Sequence, residues 1–315
     1  MKAVYALSLI AAAASAMTFK EDPFWKSYKA TFGKTYEHEA EEERRYQVFN
    51  ENMRLAAEFN QMDDEAEYGM TPVSDRFPEE LTSKIPLPER TEVGAEPTAE
   101  EVAALPTSFD ARKKKWVPAI RNQGQCGSCW AFATIGVLSI NYAKKHKKTP
   151  PVLSEQQLVD CGKENMHGCN GGWPLGAAEY AKKGLMLNSA YPYKARKGTC
   201  KFNSKKIKTK TATCGYVGKT DNAMKTAVNS YGSILVIISA KKLYSYKKGI
   251  MSASGCPAGT DHAIVIIGWG KSGSTKYWII RNSWGTSWGE KGYFRLALGK
   301  NSCGIRDWPL YMTVV

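Results

Sequence analysis

The chain has 315 residues, 43% apolar and 23% charged, which suits one or two domains with real cores and excludes a disordered chain. No run of about 18 apolar residues follows the first 16 positions, so no transmembrane helix is expected. The net charge of +14 is unevenly spread, with −10 over residues 1–104 and +24 over 105–315, and all eight Cys lie after residue 125. Such a reversal suggests two mutually attracting parts, or a removable acidic segment guarding a basic body.

Lys2, the apolar stretch Val4–Ala14 and Ala14-Ser15-Ala16 have the layout of a secretory leader over residues 1–16. An oxidising compartment follows, so cysteine pairs are expected to form disulfides. Residues 21–61 are predicted helical, with Phe24, Tyr28 and Phe32 at four-residue spacing. After Gly33 the pattern resumes at Tyr46, Phe49, Met53 and Ala56. Residues 82–104, with Pro86, Pro88, Gly94 and Pro97 among Glu and Thr, are expected to be an extended, protease-sensitive linker. A helix should begin at Cys129, with Ala131, Ile135, Leu138 and Tyr142 on one face. Lys144, Lys145, Lys147 and Lys148 suit its C-terminus, and Pro150-Pro151 stops it. Ser154 is a candidate N-cap with Gln157 at the capping-box position. Ser233–Ile238, Ala263–Trp269, Tyr277–Arg281 and Tyr293–Leu298 are predicted strands. The body therefore reads as helical first and β-rich later, an α+β arrangement.

The segment Gln123-Gly124-Gln125-Cys126-Gly127-Ser128-Cys129-Trp130 is the most informative. Unpaired N–H groups at a helix start favour thiolate over thiol, and Cys129 stands at such a start. Alone, a Cys there could equally be a disulfide half or a core residue. The whole string resembles that of the papain-like cysteine peptidases, with Asp261-His262-Ala263 and Asn282-Ser283-Trp284-Gly285 as the downstream partners. That chemistry needs a base near neutral pH, an orienter for the imidazole, and fixed donors for a tetrahedral oxyanion. The resemblance implies Cys129 as nucleophile, His262 as base and Asn282 as orienter shielded by Trp284. It implies the Gln123 side-chain amide and the Cys129 N–H as oxyanion donors.

The same resemblance implies a two-lobed fold, a helical lobe and a β-barrel-like lobe with the cleft between them. It implies the disulfides Cys126–Cys169, Cys161–Cys200 and Cys256–Cys303, with Cys214 left over. Gly171 and Gly172 would pair with an extended substrate, and specificity would come from pockets. Asp261 is placed beside that substrate strand. An S2 pocket of Trp173, Pro174, Ile237, Ala263 and Trp308 would be shallow, because Ile237 and Trp308 are bulky. Glu41, Arg45, Phe49, Asn52, Ala56 and Asn60 resemble the prodomain helix motif of cathepsin-L-like zymogens, departing at Ala56 where Ile is usual. Gly69, Thr71, Val73 and Asp75 resemble the motif that follows, with Thr and Val for Asn and Phe. In that family the prosegment crosses the cleft in reverse and inhibits. Ala111 stands where relatives often carry Trp.

The expected organisation is a leader over 1–16, an inhibitory propeptide over 17–104 and a peptidase domain over 105–315. The expected activity is endopeptidase rather than dipeptidyl carboxypeptidase, since nothing resembling an occluding loop lies between Cys169 and Pro192. No cofactor and no metal are expected. The expected partners are protein or peptide substrates and the chain's own acidic propeptide, in a monomer that is secreted or reaches a lysosome-like vacuole. Acid should loosen the propeptide as its carboxylates protonate. Two other readings stay open: a non-catalytic binder of polyanions such as sulfated glycans on the same scaffold, and a ligase or acyltransferase. Nucleic-acid binding has charge in its favour but no motif.

Overall fold

The computed structural model describes residues 18–62, 65–83, 85–89, 92 and 94–315; the expected leader over 1–16 lies outside them. The chain divides into a compact unit ending at Gln47 and a second beginning at Val48. In the first, α1 (Pro23–Phe32) starts where the Asp22 carboxylate accepts from the N–H groups of Phe24 and Trp25, and stops at Gly33, whose φ of 60° is left-handed. Helix α2 (Glu39–Gln61) begins in this unit. The Tyr46 hydroxyl donates to Asp22 at 2.7 Å, and the Trp25 indole donates to Glu42 at 3.1 Å. The single helical region expected over 21–61 is thus two helices, broken at the glycine.

The second unit contains, in order, β1 (Glu65–Tyr68), α3 (Pro78–Leu81), α4 (Ala99–Ala103), β2 (Phe109–Asp110), α5 (Cys129–His146), α6 (Glu155–Cys161) and α7 (Pro174–Tyr180). There follow β3 (Leu185–Met186), β4 (Ile207–Thr209), β5 (Thr211–Tyr216), α8 (Asp221–Tyr231), β6 (Ile234–Ile238), β7 (Tyr246–Met251), β8 (His262–Ser272), β9 (Thr275–Arg281), β10 (Tyr293–Ala297) and β11 (Leu310–Val314). Nine strands form one sheet in the order β1-β7-β10-β9-β8-β6-β11-β5, with β2 also paired to β8, while β3 and β4 make a separate ladder. Among the described residues this path is open, so the lobe expected to be barrel-like is a sheet without closure.

Two cores share one wall. On β6, Ile234, Val236 and Ile238 enter a core with Trp278, Trp288 and Phe294, while Leu235 and Ile237 enter the core around α5. On β8, Ile264 and Ile266 go one way and Ala263, Val265 and Ile267 the other. Side chains alternate across a strand, so a strand buried on both faces must be apolar throughout. That is why these segments are continuous apolar runs. Helix α5 is enclosed likewise: every residue from Cys129 to Ala143 is buried, so the one-faced pattern expected there understates its burial. It ends at Lys147 in a left-handed conformation, before the prolines.

Two expectations change. The segment after residue 82 is no free linker: Thr82, Ser83 and Ile85 are buried, and α4 interrupts its far end with Thr98 as N-cap. Gln157 makes no capping box; its amide donates to Gly184 O at 2.8 Å and its carbonyl accepts from Met186 N at 2.8 Å. Strands β5, β7 and β11 and helices α7 and α8 carried no sequence signal that was read. No helix among the described residues is long and apolar enough to cross a membrane.

Candidate active site

Residues 48–83 lie against the body through main-chain pairing. Strand β1 runs antiparallel to β7, with Glu65 opposite Ile250. The motif side chains hold the returning chain. Asn52 donates to Ser74 O at 2.8 Å, Asn60 exchanges two hydrogen bonds with the Tyr68 backbone, and Thr71 donates to Tyr244 O at 2.6 Å. Ala56, the departure from the motif, is buried at 3% exposure, so the smaller side chain keeps the packed position.

Cys129 opens α5 and Ser128 is its N-cap residue, with non-helical φ and ψ. The Cys129 thiol is free and buried. It accepts a hydrogen bond from the backbone of Ala263, the neighbour of His262, and lies 3.9 Å from the Ser83 hydroxyl. His262 begins β8, and Asn282 follows the end of the adjacent strand β9. Their side chains meet at 2.8 Å between Nε2 and Asn282 Oδ1. The Ser283 N–H donates to the same atom at 2.8 Å, which identifies it as the amide oxygen. His262 Nε2 therefore carries the proton, and the free lone pair of the neutral ring is on Nδ1. That nitrogen is buried with no hydrogen-bond partner among the described residues. The Trp284 ring lies 4.8 Å from the imidazole.

Gln123 is fully buried, and its carbonyl accepts from the Ser283 hydroxyl at 2.7 Å. Its amide donates to Cys126 O at 2.9 Å and to Leu81 O at 2.8 Å. Leu81 is the last residue of α3, where carbonyls lack intrahelical partners. Two residues on, the Ser83 N–H donates to Asp261 O at 2.9 Å. Leu81–Ser83 thus occupies the main-chain and amide partners around the sulfur. Residues 105–313 match the model for papain family cysteine proteases, and residues 25–81 match the cathepsin propeptide inhibitor domain.

The chain belongs to the papain family of cysteine proteases. It is 37% identical to digestive cysteine proteinase 1 of Homarus americanus over 310 residues, covering 93% of this chain and 95% of that protein. It is 35% identical to a cathepsin L-like proteinase of Phaedon cochleariae, covering 99% of each. Among solved structures, the digestive procathepsin L2 proteinase from the Tenebrio molitor larval midgut superposes with a TM-score of 0.81 at 29% identity, over 92% of this chain and 98% of that one. The recombinant stem bromelain precursor does so at 0.80 and 33%, over 93% and 99%. The fold is the papain-like one with its propeptide, and the protein is a zymogen.

In this protease zymogen the helix-start argument for a thiolate is overridden. Burial pushes the Cys129 thiol up to about 11, against the opposing pull of the Ala263 and Ser83 hydrogen bonds. Burial pushes the His262 imidazole down to about 4, with Asn282 pulling the other way. Both shifts disfavour charge, so the covered site holds a neutral thiol and a neutral ring. Desolvation here outweighs the few donors that reach the sulfur, which opposes the thiolate that a helix start favours.

The remaining expected residues have these neighbours. Gly171 has φ 106°, and a Cβ on Gly172 would come within 2.6 Å of the Trp130 ring. The rings of Trp173 and Trp308 meet edge-on at 5.5 Å, and Trp308 also touches Tyr216 at 6.2 Å. Pro174 starts α7, and Ile237 and Ala263 face each other across β6 and β8. The Asp261 carboxylate accepts from the Ala240 N–H at 2.8 Å. Disulfides join Cys126 to Cys169, Cys161 to Cys200 and Cys256 to Cys303. The Cys214 thiol donates to Glu179 at 3.0 Å, and burial pushes it up to about 12, which keeps it a thiol. Ala111 is fully buried and its N–H donates to Ile267 O at 3.0 Å, while Trp116 packs on Phe109 at 6.2 Å.

Sequence reasoning did not find a buried charge cluster behind the site. The Glu155 carboxylate lies 3.0 Å from Arg121 Nε as an ion pair that makes no hydrogen bond at that nitrogen. Arg281, next to Asn282, donates to Pro118 O at 2.6 Å and Ala119 O at 2.8 Å. These groups line a cavity of about 20 Å³ that also touches Asn282 and Ser283, room for about one water. Burial pushes the Glu155 carboxyl up to about 7. Nor did the sequence single out Leu81 or Ser83, which act through groups every residue has.

Proposed function

We propose that the protease is an endopeptidase in which Cys129, His262, Asn282 and Gln123 carry the chemistry once the prosegment leaves. Departure of Leu81–Ser83 rehydrates the sulfur and the ring, and the proton moves from Sγ to His262 Nδ1. The Cys129 sulfur then bonds to the substrate carbonyl carbon, and the oxygen takes the negative charge. Gln123 Nε2 and the Cys129 N–H hold that oxygen. As the C–N bond breaks, His262 returns the proton to the leaving amine, and water then hydrolyses the thioester. Asn282 keeps the ring in the required tautomer.

The observation that carries this reading is the Leu81 carbonyl on Gln123 Nε2, with Ser83 over the Cys129 sulfur. A backbone carbonyl already sits where a substrate oxygen would be held. Substrate backbone is proposed to run along Gly171–Gly172 and the Asp261 carbonyl. The S2 pocket is proposed to be shallow, favouring small or medium aliphatic side chains over Phe, because the Trp173–Trp308 edge contact and Ile237 fill space there. The test is hydrolysis of a P2-varied dipeptidyl-arginine library by matured protein, with Cys129→Ser as control. Activity retained by that control refutes the mechanism, and Phe as the best P2 residue refutes the pocket.

The proposed boundaries are a leader over 1–16, a propeptide over 17–104 and a peptidase domain from 105, with secretion or delivery to a lysosome-like vacuole. Acid is proposed to release the prosegment and trigger processing within 97–105. Incubating zymogen across acid and neutral pH tests this; equal or faster maturation at neutral pH refutes it. The matured protein is proposed to act as a monomer that engages polyanions such as sulfated glycans through its basic body.

A further inference from the structure

Tyr193 lies in the connection between β3 and β4, far along the chain from Gln123 and Cys129, yet its side chain ends between them. The ring packs edge-on against Phe132 of α5 at 4.8 Å. Its hydroxyl reaches Gln123 O at 2.8 Å and Ser128 Oγ at 2.7 Å. A carbonyl only accepts, so the single phenolic proton goes to Gln123 O, and the Ser128 hydroxyl donates to the Tyr193 oxygen. Burial pushes the phenol up to about 12, so it holds its proton through neutral pH.

A serine at an N-cap ordinarily turns its oxygen onto the N–H of the second or third helical residue. Ser128 makes no such bond. The second N–H of α5, that of Trp130, donates to the Cys129 sulfur, and the third, that of Ala131, donates to Ser128 O at 2.9 Å. A Ser128 hydroxyl released from Tyr193 has two places to go, and both are in use. One is the Trp130 N–H, which it would take from the sulfur. The other is Cys126 O, now 3.4 Å away. That carbonyl already accepts from Ser128 N–H at 2.7 Å and from Gln123 Nε2 at 2.9 Å, which fills its two lone pairs.

We propose that Tyr193 is a positioning residue for the hydrolysis: it holds the Ser128 hydroxyl off the start of α5, so that the Trp130 N–H stays on the Cys129 sulfur and Gln123 Nε2 stays placed for the oxyanion. The inference rests on the assignment of Gln123 and the Cys129 N–H as oxyanion donors. Tyr193 acts through Ser128 and Gln123 and not on the reacting atoms. All of these groups belong to the peptidase body, so zymogen and matured enzyme share the arrangement. A hydroxyl that would otherwise cap the helix is thereby kept from competing with the chemistry at its first turn.

Tyr193→Phe keeps the ring and removes one oxygen. Steady-state kinetics of the matured enzyme, per titrated active site, should show kcat about tenfold lower with KM within about twofold. The acid limb of Cys129 alkylation by iodoacetamide should move to higher pH, because a thiolate that loses a donor is harder to form. His262, and Asp261 and Tyr244, whose charges act on the sulfur, are unaltered by the substitution, so that shift reports the helix start. Adding Ser128→Ala to Tyr193→Phe removes the released hydroxyl and should raise kcat at least about twofold above Tyr193→Phe. A kcat loss below about threefold in Tyr193→Phe, an unmoved acid limb, or a double variant without that recovery overturns the inference. Should Tyr193→Phe yield no titratable enzyme, Ser128→Ala with Tyr193 intact decides: a kcat loss below about threefold is expected, and a larger one overturns the inference, since the hydroxyl itself would then be needed. Gln123→Leu, measured beside these, separates the two levels. Wild-type kcat in Gln123→Leu overturns the oxyanion assignment and this inference with it, whereas a slow Gln123→Leu beside a wild-type Tyr193→Phe overturns this inference alone.

Discussion

Replacing Gln123 by Leu separates two functions held by one side-chain amide. In the zymogen Gln123 Nε2 holds the Leu81 carbonyl, and Ser283 fixes its Oε1. After maturation that N–H is the proposed oxyanion donor. Loss of one such donor costs about 2.7–4 kcal/mol of transition-state stabilisation, or about 10²–10³ in kcat. The Gln123 amide is held by Ser283 on its carbonyl and Cys126 O on its nitrogen, so a loss within that range is expected. KM should change little, because the donor acts on charge that develops only in the transition state. The same substitution removes one hydrogen bond to the prosegment, about 0.5–1.5 kcal/mol. Added prosegment peptide should therefore inhibit about twofold to tenfold more weakly. The companion Ser283→Ala frees the amide to rotate and should lower kcat by about tenfold. Steady-state kinetics of matured enzyme on a dipeptidyl-arginine substrate, with titrated active sites, measures the first effect. A kcat loss below about tenfold for Gln123→Leu, or a loss confined to KM, would refute the oxyanion reasoning.

Thiol alkylation should report the neutral pair. With Cys129 near 11, iodoacetamide should label the zymogen slowly at neutral pH and faster only in alkali, while matured enzyme reacts at least about a hundredfold faster at pH 7; equal rates would contradict a desolvated thiol. Glu155→Gln mimics the neutral carboxyl and should leave stability at pH 5 little changed. The folded carboxyl titrates above its unfolded value, so the wild type loses stability as pH rises from about 4.5 toward about 7. The variant should then gain stability relative to the wild type from pH 5 to pH 8 by calorimetry, and a gain by the wild type would reverse the sign. Glu67 is held below the usual carboxylate range by its hydrogen bond to Lys247. Its contribution to docking is present above that range and lost as pH falls through the lowered value. Glu67→Gln should shift the onset of maturation toward neutral pH, by a small amount because the pair is exposed; a shift toward more acid pH would count against it.

Several of the candidate site residues were legible in order along the chain. Cys129 in its glycine-rich string, His262 and Asn282 at their separations, and Gln123 six residues before the sulfur could all be read before any fold was known. So could the cap at Ser154 and the apolar runs that became β6, β8, β9 and β10. These are local signals, fixed by backbone conformation and by the need to bury side chains on particular faces.

Tertiary structure decided what depends on main-chain groups and on burial. Leu81 and Ser83 engage the site through a carbonyl, an N–H and a small hydroxyl, which no motif distinguishes. Strand β7 escaped notice because its middle residues Lys247 and Lys248 are exposed, and the pairing with β1 gives it its place. The ionisation of Cys129 and His262 follows from how much water the prosegment leaves them, a property of the folded cover. Glu155 occupies a position where an acid suits a helix start, yet its burial beside Arg121 exists only because distant segments close around it. Sequence sets which atoms are available and their local geometry; the dielectric around them is set by everything packed on top.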